Sequence, residues 1–227
     1  MDKNILIDFH AHILPGMDDG CDDTKMSIAQ LKMAEKHRID VIIATSHFYP
    51  HIESVEDFLR RRKDAWDSLV VARRDVSPVI RLGAEVLLCN NIDKMTGVEK
   101  LCVDNTNVLL IEMPFIRQWE TNLIETVVRL QEENGLEVIL AHGERYPVKE
   151  MEKLLCRGFQ IQLNVASAAH IFPSHFVNNC IKRNSIAAFG SDIHGSHNSY
   201  KDFSWAMKKW GVQSKKIMEK TQKLLGY

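Results

Sequence analysis

The sequence predicts an α/β protein with parallel strands and a metal-lined barrel rim, and three observations predict it. Short apolar runs alternate with amphipathic or polar stretches along most of the 227 residues, the pattern of repeated β-α units. Seven of the runs read as strands. Imidazoles and carboxylates stand at the C-terminal end of nearly every one, the edge on which parallel α/β barrels build their sites.

The predicted strands are Ile5–Asp8, Val41–Thr45, Val79–Val86, Val108–Glu112, Val138–Ala141, Phe159–Asn164 and Ile186–Gly190. Helices lie between them. Thr24 is placed to cap a helix whose stripe carries Ile28, Leu31 and Ala34, and Ser54 one carrying Phe58, Leu59, Arg62, Trp66 and Leu69. Leu123, Val127 and Leu130 form a third stripe, ended by Gly135. Pro147 to Arg157 opens with a first-turn proline and stops at Gly158. The tail from Tyr200 to Leu225 reads as one or two closing helices. No linker divides the chain, so residues 1–227 are expected to form a single domain.

Composition narrows the function. Lys and Arg number 29 against 30 Asp and Glu, without the basic surplus by which nucleic-acid binders displace phosphate counterions. The N-terminus lacks a signal pattern and no apolar run reaches membrane-spanning length. A cytoplasmic protein without nucleic-acid or membrane partners is expected. The five cysteines are scattered with no C-x-x-C pair, which fits reduced thiols. Arg60, Arg61, Arg62 and Lys63 form a basic run that reads as a solvated helix face.

The stretch DFHAHILPGMDDG, residues 8–20, ends an apolar run with two histidines one residue apart. Side chains i and i+2 share a strand face, so His10 and His12 present both imidazoles to one point. Successive strand ends then deliver His47, Glu85, Glu112, His142, Asn164, Asp192 and His194. Glu85 in LGAEVLL and Glu112 in LLIEMPF are costly to bury unless paired or bound to a cation. Five histidines and four carboxylates (Asp19, with Asp18 as its alternative, Glu85, Glu112 and Asp192) exceed what one ion uses. A mixed imidazole and carboxylate set suits Mn²⁺, Fe²⁺ or Zn²⁺, two or three ions in number. Such a site acidifies a bridging water and concentrates anions, which points to displacement at phosphorus in a phosphate ester.

The ordered set D-x-H-x-H-x-L-P-G-x-D-D-G, T-x-H, G-x-E, I-E, A-H-x-E-R-Y, S-D-x-H resembles the PHP (polymerase and histidinol phosphatase) superfamily. Within it, DDG and AHGERYP are similar to the bacterial manganese-dependent protein tyrosine phosphatases of the CpsB/YwqE type, linked to capsular and exopolysaccharide synthesis. The resemblance runs from residue 5 to about residue 194. It implies a distorted seven-stranded (β/α)7 barrel. It also implies that His10 and His12 hold one metal, that Glu85 bridges it to a second, and that Asp192 completes the first shell. Glu112 and His142 would complete the second metal, and Asp19, His47 and His194 would bind a third.

On the same resemblance, Arg145 contacts the phosphate, since a guanidinium grips two oxygens at once. Arg145, Asp19 and His47 are the implied catalytic residues, and the reaction is direct hydrolysis by a metal-bridging hydroxide. Mn²⁺ is the implied metal, with Fe²⁺, Zn²⁺ or Mg²⁺ as alternatives. The implied partner is a phosphotyrosine protein such as the tail of a bacterial tyrosine kinase. Three positions depart from the family. Ser46 and Gly143 stand where it usually has proline, and its second arginine is absent, with Lys201 the nearest cation for substrate binding.

Phe48, Tyr49, Phe115 and Trp119 are placed either to flank an aryl phosphate or to pack loops. His37, His51, His170, His175 and His197 match no motif position and read as structural or surface residues. Two other functions remain open at this stage: a PHP phosphatase for a small metabolite such as histidinol phosphate, and a non-catalytic relative that binds a phosphorylated partner.

Overall fold

The first strand, β1 (Ile7–His12), is buried at every position and pairs in parallel with β2 (Val41–Ala44). Their register shifts between Asp8 and Ala11. The extra residue reverses the alternation along β1, so His10 and His12 continue the face that carries Ile7. Ile7 packs there with Val41, Ile43, Val108 and Leu110. Two histidines and an isoleucine thereby share one interior row.

The computed structural model describes residues 5–73, 77–195 and 200–227. After β1 come α1 (Thr24–Lys36), β2, β3 (His47–Phe48) and α2 (Val55–Arg73). Next are β4 (Val79–Leu82), β5 (Glu85–Leu87), β6 (Val108–Glu112), α3 (Thr121–Glu132) and β7 (Glu137–Leu140). The chain continues through α4 (Val148–Leu155), β8 (Gln160–Asn164), α5 (Val165–Ala169) and α6 (His175–Lys182). It ends with β9 (Ile186–Gly190), β10 (Ile193–His194), α7 (Lys201–Trp210) and α8 (Val212–Leu224).

All strand pairs are parallel, and hydrogen bonding divides them into two sheets of order β10-β1-β2-β4 and β3-β5-β6-β7-β8-β9. The chain passes from one sheet to the other four times, once through α2 between β3 and β4 and three times through short connections. The run predicted as one strand, Val79–Val86, breaks at Gly83–Ala84 into β4 and β5, which belong to different sheets. The buried guanidinium of Arg62 donates to the freed Gly83 carbonyl at 2.8 Å. Thr45 and Ser46 make the same transfer from β2 to β3. At the far side the chain leaves β9 and returns to β1: the Asp192 N–H donates to the His10 carbonyl at 2.8 Å, and Ser191 donates through N–H and hydroxyl to the Asp8 carboxylate. Gly190 is needed at this crossing, where a Cβ would meet that of His10 at 2.5 Å.

Helix ends follow local chemistry. The cap of α1 is Asp23, whose carboxylate accepts from the Met26 N–H, so the predicted cap at Thr24 is one residue late. Ser54 caps α2 as expected, its hydroxyl accepting from the Asp57 N–H. The tail forms the two helices α7 and α8, whereas α5 and α6 were not predicted; Ser174 caps the latter through the Val177 N–H. The basic run is not a bare solvated face. Arg62 is buried, and Arg60, Arg61 and Lys63 pair with Asp57, Glu53 and Asp67. All five cysteines are free thiols. Among the described residues, no helix is long and apolar enough to cross a membrane.

Candidate metal centre

The nine predicted ligands converge, most of them at or just beyond the C-terminal ends of strands, whereas His47 and Glu85 open the short strands β3 and β5. β1 delivers His10 and His12, β3 His47, β5 Glu85, β6 Glu112 and β10 His194; His142 follows β7, Asp192 follows β9, and Asp19 stands in the loop after β1. Glu85 lies at the centre. Its Oε2 is 3.1 Å from His10 Nε2, 3.2 Å from His12 Nε2 and 3.1 Å from His47 Nδ1, and its Oε1 is 2.8 Å from His142 Nε2. Asp192 Oδ1 approaches His10, His12 and His194 at 3.5–3.6 Å. Glu112 faces His142 at 3.6 Å and His47 at 3.9 Å, and Asp19 faces His194 at 3.4 Å and His47 at 3.7 Å.

The donor chemistry of this cluster fits cations. Gln162 Oε1 accepts from the His142 backbone N–H at 2.7 Å and faces His10 Nδ1 at 2.9 Å, so His10 carries its proton on Nδ1. Asp18 Oδ2 accepts from the His47 N–H and faces His12 Nδ1 at 2.9 Å, which fixes the same tautomer there. Both Nε2 atoms then bear lone pairs while lying 3.1 Å apart. Something positive must sit between them. Glu85 Oε2 and His47 Nδ1 are buried without a hydrogen bond among the described residues, as two donors awaiting one ion would be.

Without metal, protons fill that role. Burial opposes charge on His10, but Glu85 and Asp192 outweigh it and raise its pKa to about 9. Burial likewise opposes charge on His12, yet Asp18 and Glu85 raise it to about 10. Burial and the charge of Glu85 push Glu112 up to about 7. Three groups of side chains place one donor atom each within 4.8 Å of the others: His12, Asp19, His47 and His194; His10, His12 and Asp192; and His47, Glu85 and Glu112. His12 and His47 each belong to two groups, so ions held by these groups would be neighbours.

Beside the cluster opens a cleft of about 460 Å³ lined in part by Asp19, Arg145, Asn164, Asp192, His194 and Asp202. Arg145 Nη1 donates to Asp192 Oδ2 at 3.1 Å, and its guanidinium lies 5.1 Å from the Phe115 ring centroid. The four predicted aromatics divide. Tyr49 stacks on His47 at 5.1 Å and Phe115 on His142 at 5.7 Å, both at the site, whereas Phe48 and Trp119 are buried in the core. Lys201 is exposed at the start of α7, and its neighbour Asp202 lines the cleft. His51 and His170 are exposed surface residues, His37 is half-buried at the end of α1, His175 opens α6, and His197 lies outside the described residues.

Sequence reasoning passed over the groups that hold the ligands. Gln162 joins His10 to His142, and a buried amide in the apolar strand QIQLN is a signal of the same kind as Glu85. Asp18, weighed as an alternative ligand, bonds the far side of His12, while Asp19 points outward with its side chain 76% exposed. Glu144 accepts from the Asn164 N–H and the Ser167 hydroxyl, and burial pushes its pKa up to about 7. His142 and Asp192 hold φ of +30° and +51°, left-handed backbone that places strain at the site.

Gly143 is matched to its neighbour. A Cβ there would meet Ile161 Cγ2 at 2.6 Å and Cβ at 2.8 Å. Gly143→Ala is expected to cost about 1–3 kcal/mol through overpacking, read as a lower melting temperature, and Ile161→Ala in the same chain should recover part of it. An additive double mutant would show that the two positions do not interact. Metal loading is expected to act in the opposite sense. Divalent cation at about 100 times its dissociation constant adds about 2.7 kcal/mol, or roughly 5–10 °C in melting temperature for a chain of this size. A flat melting temperature across the titration would mean that the cluster binds no ion.

Comparison with known proteins places these features. The family model described as "Capsular polysaccharide synthesis, CpsB/CapC" matches residues 6–224. Tyrosine-protein phosphatase YwqE of Bacillus subtilis is 27% identical over 201 residues, 83% of this chain and 77% of that protein. Tyrosine-protein phosphatase CpsB of Streptococcus pneumoniae is 27% identical over 177 residues, 70% of this chain and 67% of that one. Among solved structures, those of YwqE and CpsB, described as unique metal-dependent tyrosine phosphatases, match with a TM-score of 0.77 at 24% identity, covering 97% of this chain and 94% of theirs. The phosphotriesterase homology protein of Escherichia coli, solved with phosphate in its active site, shares the fold alone, with a TM-score of 0.54 at 12% identity over 98% of this chain and 99% of that one.

Proposed function

The chain belongs to the CpsB/CapC family of capsular polysaccharide synthesis, and from that premise we propose that it is a metal-dependent phosphatase releasing phosphate from phosphotyrosine in a protein. The observation that carries the proposal is Glu85 Oε2, buried without a hydrogen bond and within 3.2 Å of three imidazole nitrogens, beside a cleft that contains an arginine. His10, His12, Glu85 and Asp192 would hold one ion, Glu85, Glu112 and His142 a second, and Asp19, His47 and His194 a third. Held there, divalent cations, Mn²⁺ first among them, supply Lewis acidity and a water acidic enough to act as nucleophile near neutral pH.

The chain's own residues do the rest. Arg145 exchanges its Asp192 partner for the phosphate oxygens and grips two of them. Tyr49 and Phe115 flank the phenyl ring of the substrate, each braced by a histidine of the cluster. Gln162 and Asp18 keep the His10 and His12 lone pairs turned inward. We read the two sheets as one distorted seven-stranded barrel, and residues 1–227 as a single domain acting in the cytoplasm. Lys201, at the mouth end of α7, is assigned a supporting contact with the substrate. An open mouth favours a protein substrate over a small metabolite: the side chains of Asp19 and Arg145 are 76% and 48% exposed.

The test is phosphate release by chelator-stripped protein from a phosphotyrosine peptide and from histidinol phosphate, with Mn²⁺, Mg²⁺ or Zn²⁺ restored and His10→Ala/His12→Ala as control. Release from the peptide, restored by Mn²⁺ and lost in the control, is the expected result. Release from histidinol phosphate alone would move the chain to metabolite hydrolysis, and none from either would leave a phosphoprotein-binding role.

A further inference from the structure

Three large apolar side chains stand in solvent close to the cleft: Ile171 at 79% exposure, Phe172 at 83% and Trp205 at 62%. They are linked through the fold. Helix α7 begins at the cleft, where Asp202 lines it, and reaches the loop after α5, where Lys209 Nζ donates to the carbonyls of His170 and Ile171. Trp205 is three residues after Asp202 and four before Lys209, so it shares one helix face with both and bridges cleft to loop. A hollow of about 410 Å³, lined by Ser167, Phe172, Pro173 and Val177 among others, continues the cleft on the α5 side, since Ala166 lines both.

Charge selects the occupant. Lys208 and Lys209 are exposed on the same helix, and among the described residues neither pairs with a carboxylate. Lys209 is bonded to neutral carbonyls, which leaves its charge uncompensated. The contrast is α2, whose exposed basic residues are matched by Asp57, Glu53 and Asp67, and the whole chain carries a net charge of −1. Two exposed lysines without carboxylate partners, edged by aromatic residues at the far end of a face that runs from the cleft, suit an anionic polypeptide with large side chains.

Resting on the phosphatase reading above, we propose that Trp205, Phe172, Ile171 and Lys208 form a docking surface for the residues flanking the phosphotyrosine of an acidic polypeptide. The phosphorylated ring enters the cleft while its neighbours lie along α7 toward the Phe172 hollow. Discrimination among phosphoproteins then resides on this surface and not at the metal cluster.

The experiment compares 4-nitrophenyl phosphate, a phosphotyrosine peptide with acidic and aromatic flanks, and the same peptide with neutral flanks, on Mn²⁺-loaded wild type, Trp205→Ala, Phe172→Ala and Lys208→Glu. Peptide binding is followed separately by fluorescence anisotropy. Trp205→Ala and Phe172→Ala are expected to raise KM and weaken binding of the acidic peptide by about tenfold, the scale of an aromatic anchor. Lys208→Glu should act on the acidic peptide and spare the neutral one, and turnover of 4-nitrophenyl phosphate should stay within about twofold throughout. Equal KM and affinity in all four proteins would overturn the proposal. So would a change from dimer to monomer in the variants with peptide affinity unaltered, which would make the surface a contact between copies. If wild type releases no phosphate from any substrate, the phosphatase reading fails, and the anisotropy series still decides the docking surface.

Discussion

Glu85→Gln should lower phosphate release by about 10³-fold or more, because this one side chain would join two of the three ions whose charge stabilises the transition state. The substitution preserves shape and removes the charge that faces His10, His12, His47 and His142 within 3.2 Å. Metal content, measured on the dialysed protein by mass spectrometry, should fall with activity. A variant that keeps its full metal content and activity would show that Glu85 is an ordinary buried acid. The loss should not come from unfolding, since glutamine fits the same space and the apolar core around the strands is unaltered.

Arg145→Ala should reduce kcat/KM by about 10²-fold, the scale on which loss of one charge-stabilising donor is felt. Arg145→Lys should recover only part, because an ammonium is a point charge and does not reproduce the two-pronged grip of a guanidinium. Metal content separates this variant from Glu85→Gln: Arg145 contacts Asp192 through Oδ2, whereas the histidine cluster meets Oδ1, so metal should be retained. Kinetics indistinguishable from wild type would remove Arg145 from the phosphate site.

Much of this architecture was legible because each relevant residue interrupts an apolar run. Strands β6 and β9 begin and end where burial predicts, and the predicted ligands come together in one cluster, although His47 and Glu85 open the short strands β3 and β5 instead of ending them. The legible signal is local: a carboxylate such as Glu85 among apolar neighbours must be compensated. What stayed hidden depends on contacts between distant segments. The break at Gly83 depends on Arg62 reaching across from α2. The register shift in β1 depends on its pairing with β2, and it decides which face His10 and His12 occupy.

Helices α5 and α6 went unseen because their apolar stripes are too short to establish a period. Gln162 escaped selection and Asp18 was weighed only as a ligand, because both act through another side chain, and no sequence spacing reveals which histidine nitrogen each one faces. The basic run on α2 misled for a different reason. Counting charges treats its four members alike, although the apolar stripe of the same helix already carries Arg62 inward with Phe58 and Leu69.

The two-sheet arrangement makes the cations more than reactants' partners. His10, His12 and His194 come from the four-stranded sheet, and His47, Glu85 and Glu112 from the six-stranded one. Ions held among them would act as a clasp fastened across a seam that backbone hydrogen bonds bridge only at separate points, such as Asp192 N–H to the His10 carbonyl. Loading should therefore slow amide hydrogen exchange at Asp192, whose N–H meets His10, and at Glu85, whose N–H meets the Ser46 carbonyl. Catalytic competence and mechanical closure of the strands would then be governed by the same occupancy.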